Sequence, residues 1–164
     1  MAWQKPLESV FPTKALSIVE KPLSAISNKQ IMIHSKGKFA APRIVIPVFP
    51  GTNCEYDTAR AFEKAGGLPQ VIVFRNLNAA AIAESIAVLS KSIAHAQIVM
   101  LPGGFSGGDE PDGSGKFIAA VFRAASIKEE IDQLLQKRDG LMLGICNGFQ
   151  ALVKLGLLPY GEIK

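Results

Sequence analysis

The order of its segments predicts that this 164-residue chain is an α/β protein with a doubly wound parallel sheet and helices on both faces. Three observations carry that expectation. Short apolar runs alternate with segments of helical periodicity from residue 43 onward. The loops after the first, third and fourth runs are rich in Gly, Pro and Asn. Finally, 48% of the residues are apolar and only 20% charged, as in a chain that buries a core.

Taken in order, Ile44-Val45-Ile46-Pro47-Val48-Phe49 reads as a buried strand, with Pro47 marking a bulge or a strand end. Thr52 and Glu55 have capping-box spacing and open a helix to about residue 65, which Gly66-Gly67 closes. Val71-Ile72-Val73-Phe74 is the second strand. Asn78 caps a helix whose apolar stripe is Ile82, Ile86, Leu89 and Ile93. Ile98-Val99-Met100-Leu101 is the third strand and runs into Pro102-Gly103-Gly104. Residues 116–125 read as helical. Ser126 with Glu129 forms a second capping box, followed by the buried stripe Ile127, Ile131, Leu134 and Leu135. Residues 141–145 are the fourth strand, and 148–155 the next helix.

Residues 1–42 differ in texture. They hold Pro6, Pro12, Pro22 and Pro42, Ser/Lys-rich stretches and only two short apolar pieces, so they read as a linker or arm. The formal net charge of +4 belongs to this segment, because acidic and basic residues balance in the remainder. Without an aromatic-interleaved basic stripe, nucleic-acid binding is not expected. No run has the length of a membrane span, and the N-terminus has no signal-peptide core. Cys54 and Cys146 lie far apart with no C-x-x-C spacing, which speaks against a disulfide framework or a metal site and suits a reducing cytoplasm.

In doubly wound sheets, ligands bind at the carboxyl ends of the strands. All three unusual loops fall there: Pro50-Gly51-Thr52-Asn53-Cys54, the glycine-rich loop from Pro102, and Gly144-Ile145-Cys146-Asn147-Gly148. A cysteine between a strand and a helix occupies a tight corner, which needs small neighbours such as Gly144 and Gly148. The helix start below it offers N–H groups to a developing oxyanion. The Gly103-Gly104 loop lacks the Lys-Ser/Thr ending of a phosphate loop, and a Gly-Gly pair beside a thiol suits an oxyanion donor better.

These motifs resemble a known family. Pro102-Gly103-Gly104-Phe105-Ser106-Gly107-Gly108-Asp109, followed by Gly144-Ile145-Cys146-Asn147-Gly148-Phe149-Gln150, is similar to the glutaminase domain of class I glutamine amidotransferases. With Pro50-Gly51-Thr52-Asn53-Cys54, the likeness is to the form found in phosphoribosylformylglycinamidine synthases. It covers about 43–164, leaving 1–42 as a connection from a preceding synthetase body. The resemblance implies a flavodoxin-like fold, incomplete at its C-terminal end. It implies Cys146 as the nucleophile that attacks glutamine, and the backbone N–H groups of Gly104 and Asn147 as the oxyanion hole. Gly103, Phe105, Ser106, Asn53 and Gln150 would lie about the glutamine. Ammonia would pass to the synthetase domain, where ATP and magnesium serve the amidination of formylglycinamide ribonucleotide in purine biosynthesis; this chain itself would hold no metal or cofactor.

Such glutaminases also use a histidine and an acid from well beyond the elbow. The chain offers only His34, in the arm, and His95, before the third strand and so expected at the opposite sheet edge; Glu162 is too near the elbow to be the acid. The expectation is therefore a piece truncated after the elbow, inactive alone and self-associating through uncovered sheet. Two other readings stay open. One is a cysteine-elbow hydrolase or stress protein of the same superfamily, with Glu55 or Asp57 as its carboxylate. The other is a non-catalytic interaction module.

Overall fold

Four apolar segments pair side by side because each is short, β-branched or aliphatic, and separated from the next by a helix long enough to cross over. A computed structural model of the chain describes Glu8, Val10 and residues 39–105 and 115–164. The arm proposed at 1–42 lies almost entirely outside the described residues, as do His34 and Ser106.

The elements run β1 (Arg43–Val48), α1 (Glu55–Lys64), β2 (Leu68–Val73), α2 (Ala79–Ala94), β3 (Ile98–Leu101), α3 (Lys116–Phe122), α4 (Ala125–Gln136), β4 (Leu141–Gly144), α5 (Asn147–Leu155) and α6 (Leu157–Tyr160). The sheet is parallel throughout, in the order β2-β1-β3-β4. Crossover handedness explains the distribution of helices. Only the β1-to-β2 connection steps one way along the sheet, and the later ones step the other way, so a fixed right hand puts α1 alone on one face. Ile44, Ile46 and Met100 pack there with Ala59 and Phe62 of α1. The opposite face carries the main core, built from Val45, Phe49, Val99 and Leu101 beneath α2, α3, α4 and α5. The expected doubly wound sheet with helices on both faces is present.

Several local expectations change. β2 starts three residues earlier than the apolar run suggested, because an edge strand tolerates Pro69. Pro47 does not end β1. The strand runs to Val48 along β2, whereas its pairing with β3 covers only Ile44 and Val45. The Thr52–Glu55 capping box does not form. Thr52 Oγ1 instead accepts the Phe49 N–H at 3.1 Å, closing the turn after β1, and Cys54 takes the N-cap position without a side-chain cap.

The second box fails as well. Ala124 is the N-cap of α4, and Ser126 already lies inside its first turn. The helix expected over 116–125 breaks after Phe122, where the Arg123 guanidinium donates to the carbonyls of Lys154 and Lys164 at 2.8 and 2.9 Å. In α2, Ile86, Leu89 and Ile93 pack as expected, but Ile82 is exposed. Ser85 is buried in its neighbourhood, its hydroxyl accepting the Arg75 N–H at 3.0 Å.

Other punctuation behaves as read. Gly66 has φ +86° after α1, and the Gly67 N–H donates to Phe62 O at 2.9 Å. Asn78 Oδ1 accepts the Ala81 N–H at 2.9 Å, capping α2. Asn78→Ala should therefore lower stability by about 1 kcal/mol, read as a shifted urea midpoint with an unchanged slope; an unchanged midpoint would show that the cap contributes nothing.

Candidate active site

The site is assembled where the sheet's winding direction reverses, between β1 and β3. There the loop after β1 and the loop after β3 are stitched together. Thr52 and Gly104 form an isolated antiparallel bridge, the Phe105 N–H donates to Gly51 O at 2.9 Å, and the Asn53 N–H reaches Gly103 O at 3.4 Å. Such close contact demands glycine. Gly104 has φ +129°, and a β-carbon there would strike the Gly51 carbonyl.

Cys146 lies at the end of the neighbouring strand. It is the N-cap of α5 and one of two non-glycine residues described with positive φ, at φ 53° and ψ −111°. A cysteine held there carries strain of about 1–3 kcal/mol. Packing imposes it. Ile145 stays in the ladder, its N–H donating to Leu101 O at 3.1 Å, while the Gly148 N–H already bonds Ile145 O at 2.9 Å. One residue must therefore make the entire turn from strand to helix. A β-carbon on Gly148 would collide with the Leu101 carbonyl, and one on Gly144 would stand 2.6 Å from Gly148 O. Both flanking glycines are required, as the sequence indicated.

Cys146, Gly103, Gly104, Asn53 and Cys54 converge at the carboxyl edge. Gly103 is buried against Cys146: a β-carbon on it would lie 3.4 Å from Cys146 Cβ and 3.5 Å from Cys54 Sγ. Asn53 is exposed, and its Oδ1 accepts the Cys54 thiol at 3.1 Å. Phe105 is 78% exposed and so stands at the rim. Asn147 is buried at the start of α5, with Gln150 exposed in its first turn. The Gly104 N–H donates to no acceptor among the described residues.

Cys54 is the residue to which the sequence assigned no part in the site. It is exposed and shares the Gly103 neighbourhood with Cys146. Its place in the loop after β1 was the available signal. Of the two carboxylates considered, Asp57 is exposed, while Glu55 has one buried oxygen without a hydrogen-bond partner. His95 caps the C-terminal end of α2, just before β3, and so lies at the opposite sheet edge from Cys146, as expected. There it helps line a cleft of about 580 Å³ with Arg43, Gln70 and Lys91. No group of three or more His, Cys, Asp or Glu among the described residues could hold a metal ion. No helix among them is long and apolar enough to cross a membrane.

Residues 41–164 match the model of the CobB/CobQ-like glutamine amidotransferase domain. The chain belongs to this family. Its relatives include proteins named phosphoribosylformylglycinamidine synthase subunit PurQ. The one from Dehalococcoides mccartyi is 42% identical over 115 residues, 70% of this chain and 40% of the relative. That of Methanococcus maripaludis is 36% identical over 126 residues, 74% of this chain and 42% of the relative. A solved structure described as PurLQS from Thermotoga maritima is 31% identical, with a TM-score of 0.49, covering 71% of this chain and 45% of that one. The chain spans less than half the length of the curated relatives it matches. The family is one of glutamine amidotransferases, the class that the Gly103-Gly104 and Cys146 motifs resemble.

The elbow yields a stability test. Gly148→Ala should cost about 1–3 kcal/mol in urea unfolding, because the methyl group meets a backbone carbonyl. Gly103→Ala makes only ordinary contacts and should stay within about 0.5 kcal/mol of the parent. Equal effects for the two would contradict the packing account.

Proposed function

We propose that this chain is the nucleophile-bearing part of a glutaminase that releases ammonia for a phosphoribosylformylglycinamidine synthase. The observation that carries the reading is Cys146 in its strained turn, with the Gly103-Gly104 loop laid against its side chain. Relatives named as subunits of that synthase support the same assignment.

In this reading the Cys146 sulfur attacks the side-chain amide carbon of glutamine. The carbonyl oxygen becomes an oxyanion, received by the backbone N–H groups of Gly104 and Asn147. Collapse releases ammonia and leaves a γ-glutamyl thioester, which water then hydrolyses. Gly103, Asn53, Phe105, Ser106 and Gln150 are the proposed surroundings of the glutamine. The reaction belongs in the cytoplasm, where the two exposed thiols stay reduced.

The ammonia's consumer is a synthetase partner, which uses ATP and magnesium to amidinate formylglycinamide ribonucleotide in purine biosynthesis. Residues 1–42 are assigned as the arm from that synthetase body, ahead of a glutaminase part at 43–164. The exposed apolar edge of β4, at Leu141 and Leu143, supports self-association of the 164-residue chain.

The thiol proton needs a base, and His95 is at the wrong edge of the sheet. With no histidine beside Cys146 among the described residues, the 164-residue chain should release ammonia from glutamine scarcely faster than its Cys146→Ala variant, since loss of proton transfer costs about 10²–10⁴-fold. Sustained release by the chain would contradict this. A diazo-ketone analogue of glutamine tests the site itself. It should alkylate Cys146, excess glutamine should slow the reaction, and Cys146→Ser should abolish it. Labelling that glutamine leaves unchanged would sink the proposal.

A further inference from the structure

Cys54 is the sulfur at this site that the proposed glutamine chemistry leaves unused. It occupies the N-cap position of α1 as Cys146 does that of α5, and both thiols are exposed and free. The two approach Gly103 from different loops. A single point, the position a Gly103 β-carbon would occupy, lies 3.4 Å from Cys146 Cβ and 3.5 Å from Cys54 Sγ. With no side chain at Gly103, nothing at that point separates them.

A disulfide needs its two β-carbons about 3.5–4.5 Å apart. The Thr52–Gly104 bridge and the 2.9 Å bond from the Phe105 N–H to Gly51 O hold the two loops together, while beside Cys54 itself the link is the long 3.4 Å bond from the Asn53 N–H to Gly103 O, and the Cys54 thiol donates to the adjacent Asn53 side chain. Rotation of Cys54 about χ1 with a small shift of that loop would close the gap.

We propose that Cys54 is the resolving thiol of Cys146, so that a hydroperoxide converts the pair to an intrachain disulfide and a dithiol reverses it. In the first step the Cys146 sulfur attacks one peroxide oxygen. An S–O bond forms, the O–O bond breaks, and the departing oxygen leaves as water, giving a sulfenic acid. In the second step the Cys54 sulfur attacks the Cys146 sulfur. The S–S bond forms, the S–O bond breaks, and the hydroxyl leaves as water with the Cys54 proton. Two thiols and one hydrogen peroxide thus become one disulfide and two waters. The disulfide protects Cys146 from irreversible oxidation. That it also halts glutamine cleavage rests on the proposed function; the disulfide itself does not.

The test treats the reduced 164-residue chain with hydrogen peroxide, then alkylates and maps its peptides. The expected result is a Cys54–Cys146 linked peptide in monomeric chain, with both free thiols lost together and restored by dithiothreitol. Cys54→Ser should instead carry Cys146 through a dimedone-trappable sulfenic acid to sulfinic acid. Gly103→Ala places a methyl group against both Cys146 Cβ and Cys54 Sγ and should slow the linkage without unfolding the chain, a point its urea midpoint verifies. Sulfinic acid on Cys146 of the parent chain with Cys54 still alkylatable would overturn the proposal, as would disulfides formed only between chains. Either outcome is independent of glutamine-protected labelling, so this inference and the proposed function fail separately.

Discussion

The closeness of α5 to the ends of β3 and β4 is the constraint on which the carboxyl edge of this protein depends. Gly148 rests against the Leu101 carbonyl at a distance no side chain would allow, and Gly144 lies beneath Gly148 with no room for a β-carbon. With the strand still hydrogen-bonded at Ile145 and the helix already begun at Asn147, the whole change of direction falls on Cys146. Its strain, about 1–3 kcal/mol, is small beside the burial that fixes α5. Ala151, Leu152 and Leu155 are all buried in the main core, and each leucine contributes about 1.5–3 kcal/mol. Packing therefore wins, and the thiol stays in the turn.

The same logic places the second wall of the site. The change of winding direction between β1 and β3 sends α1 to one face and the later helices to the other, opening a crevice where two loops leave the sheet. A backbone bridge at Thr52 and Gly104 holds those loops together. Backbone then lines the approach to Cys146 on the Gly103 side, and this is why glycine occupies the positions where an oxyanion or a second sulfur would come nearest. One arrangement thus serves both the proposed amide chemistry and the proposed thiol pairing.

The sequence made the architecture legible wherever a residue's role was local or periodic. The strand and helix order, the Asn78 cap, the Gly66-Gly67 stop and the small flanks of Cys146 all depend on a few adjacent residues, and the structure contains each of them. What misled was local chemistry with two uses. Thr52 could cap α1 or close the turn after β1, and its hydroxyl took the turn. Ser126 had the spacing of a cap, but Arg123, anchored to carbonyls far along the chain, set the break between α3 and α4 earlier. The partnership of Cys54 with Gly103 was invisible for a related reason. It joins residues far apart in sequence through a missing side chain, and neither periodicity nor motif spacing reports such an absence.

In the proposed site, Cys146 and the backbone N–H groups of Gly104 and Asn147 form a single receptor for the amide oxygen of glutamine. A crystal structure of the chain alkylated at Cys146 by the diazo-ketone analogue would show whether they do. The adduct's carbonyl oxygen should lie about 3 Å from both the Gly104 and Asn147 backbone nitrogens. An adduct whose oxygen points to solvent, with either N–H turned elsewhere, would contradict the account.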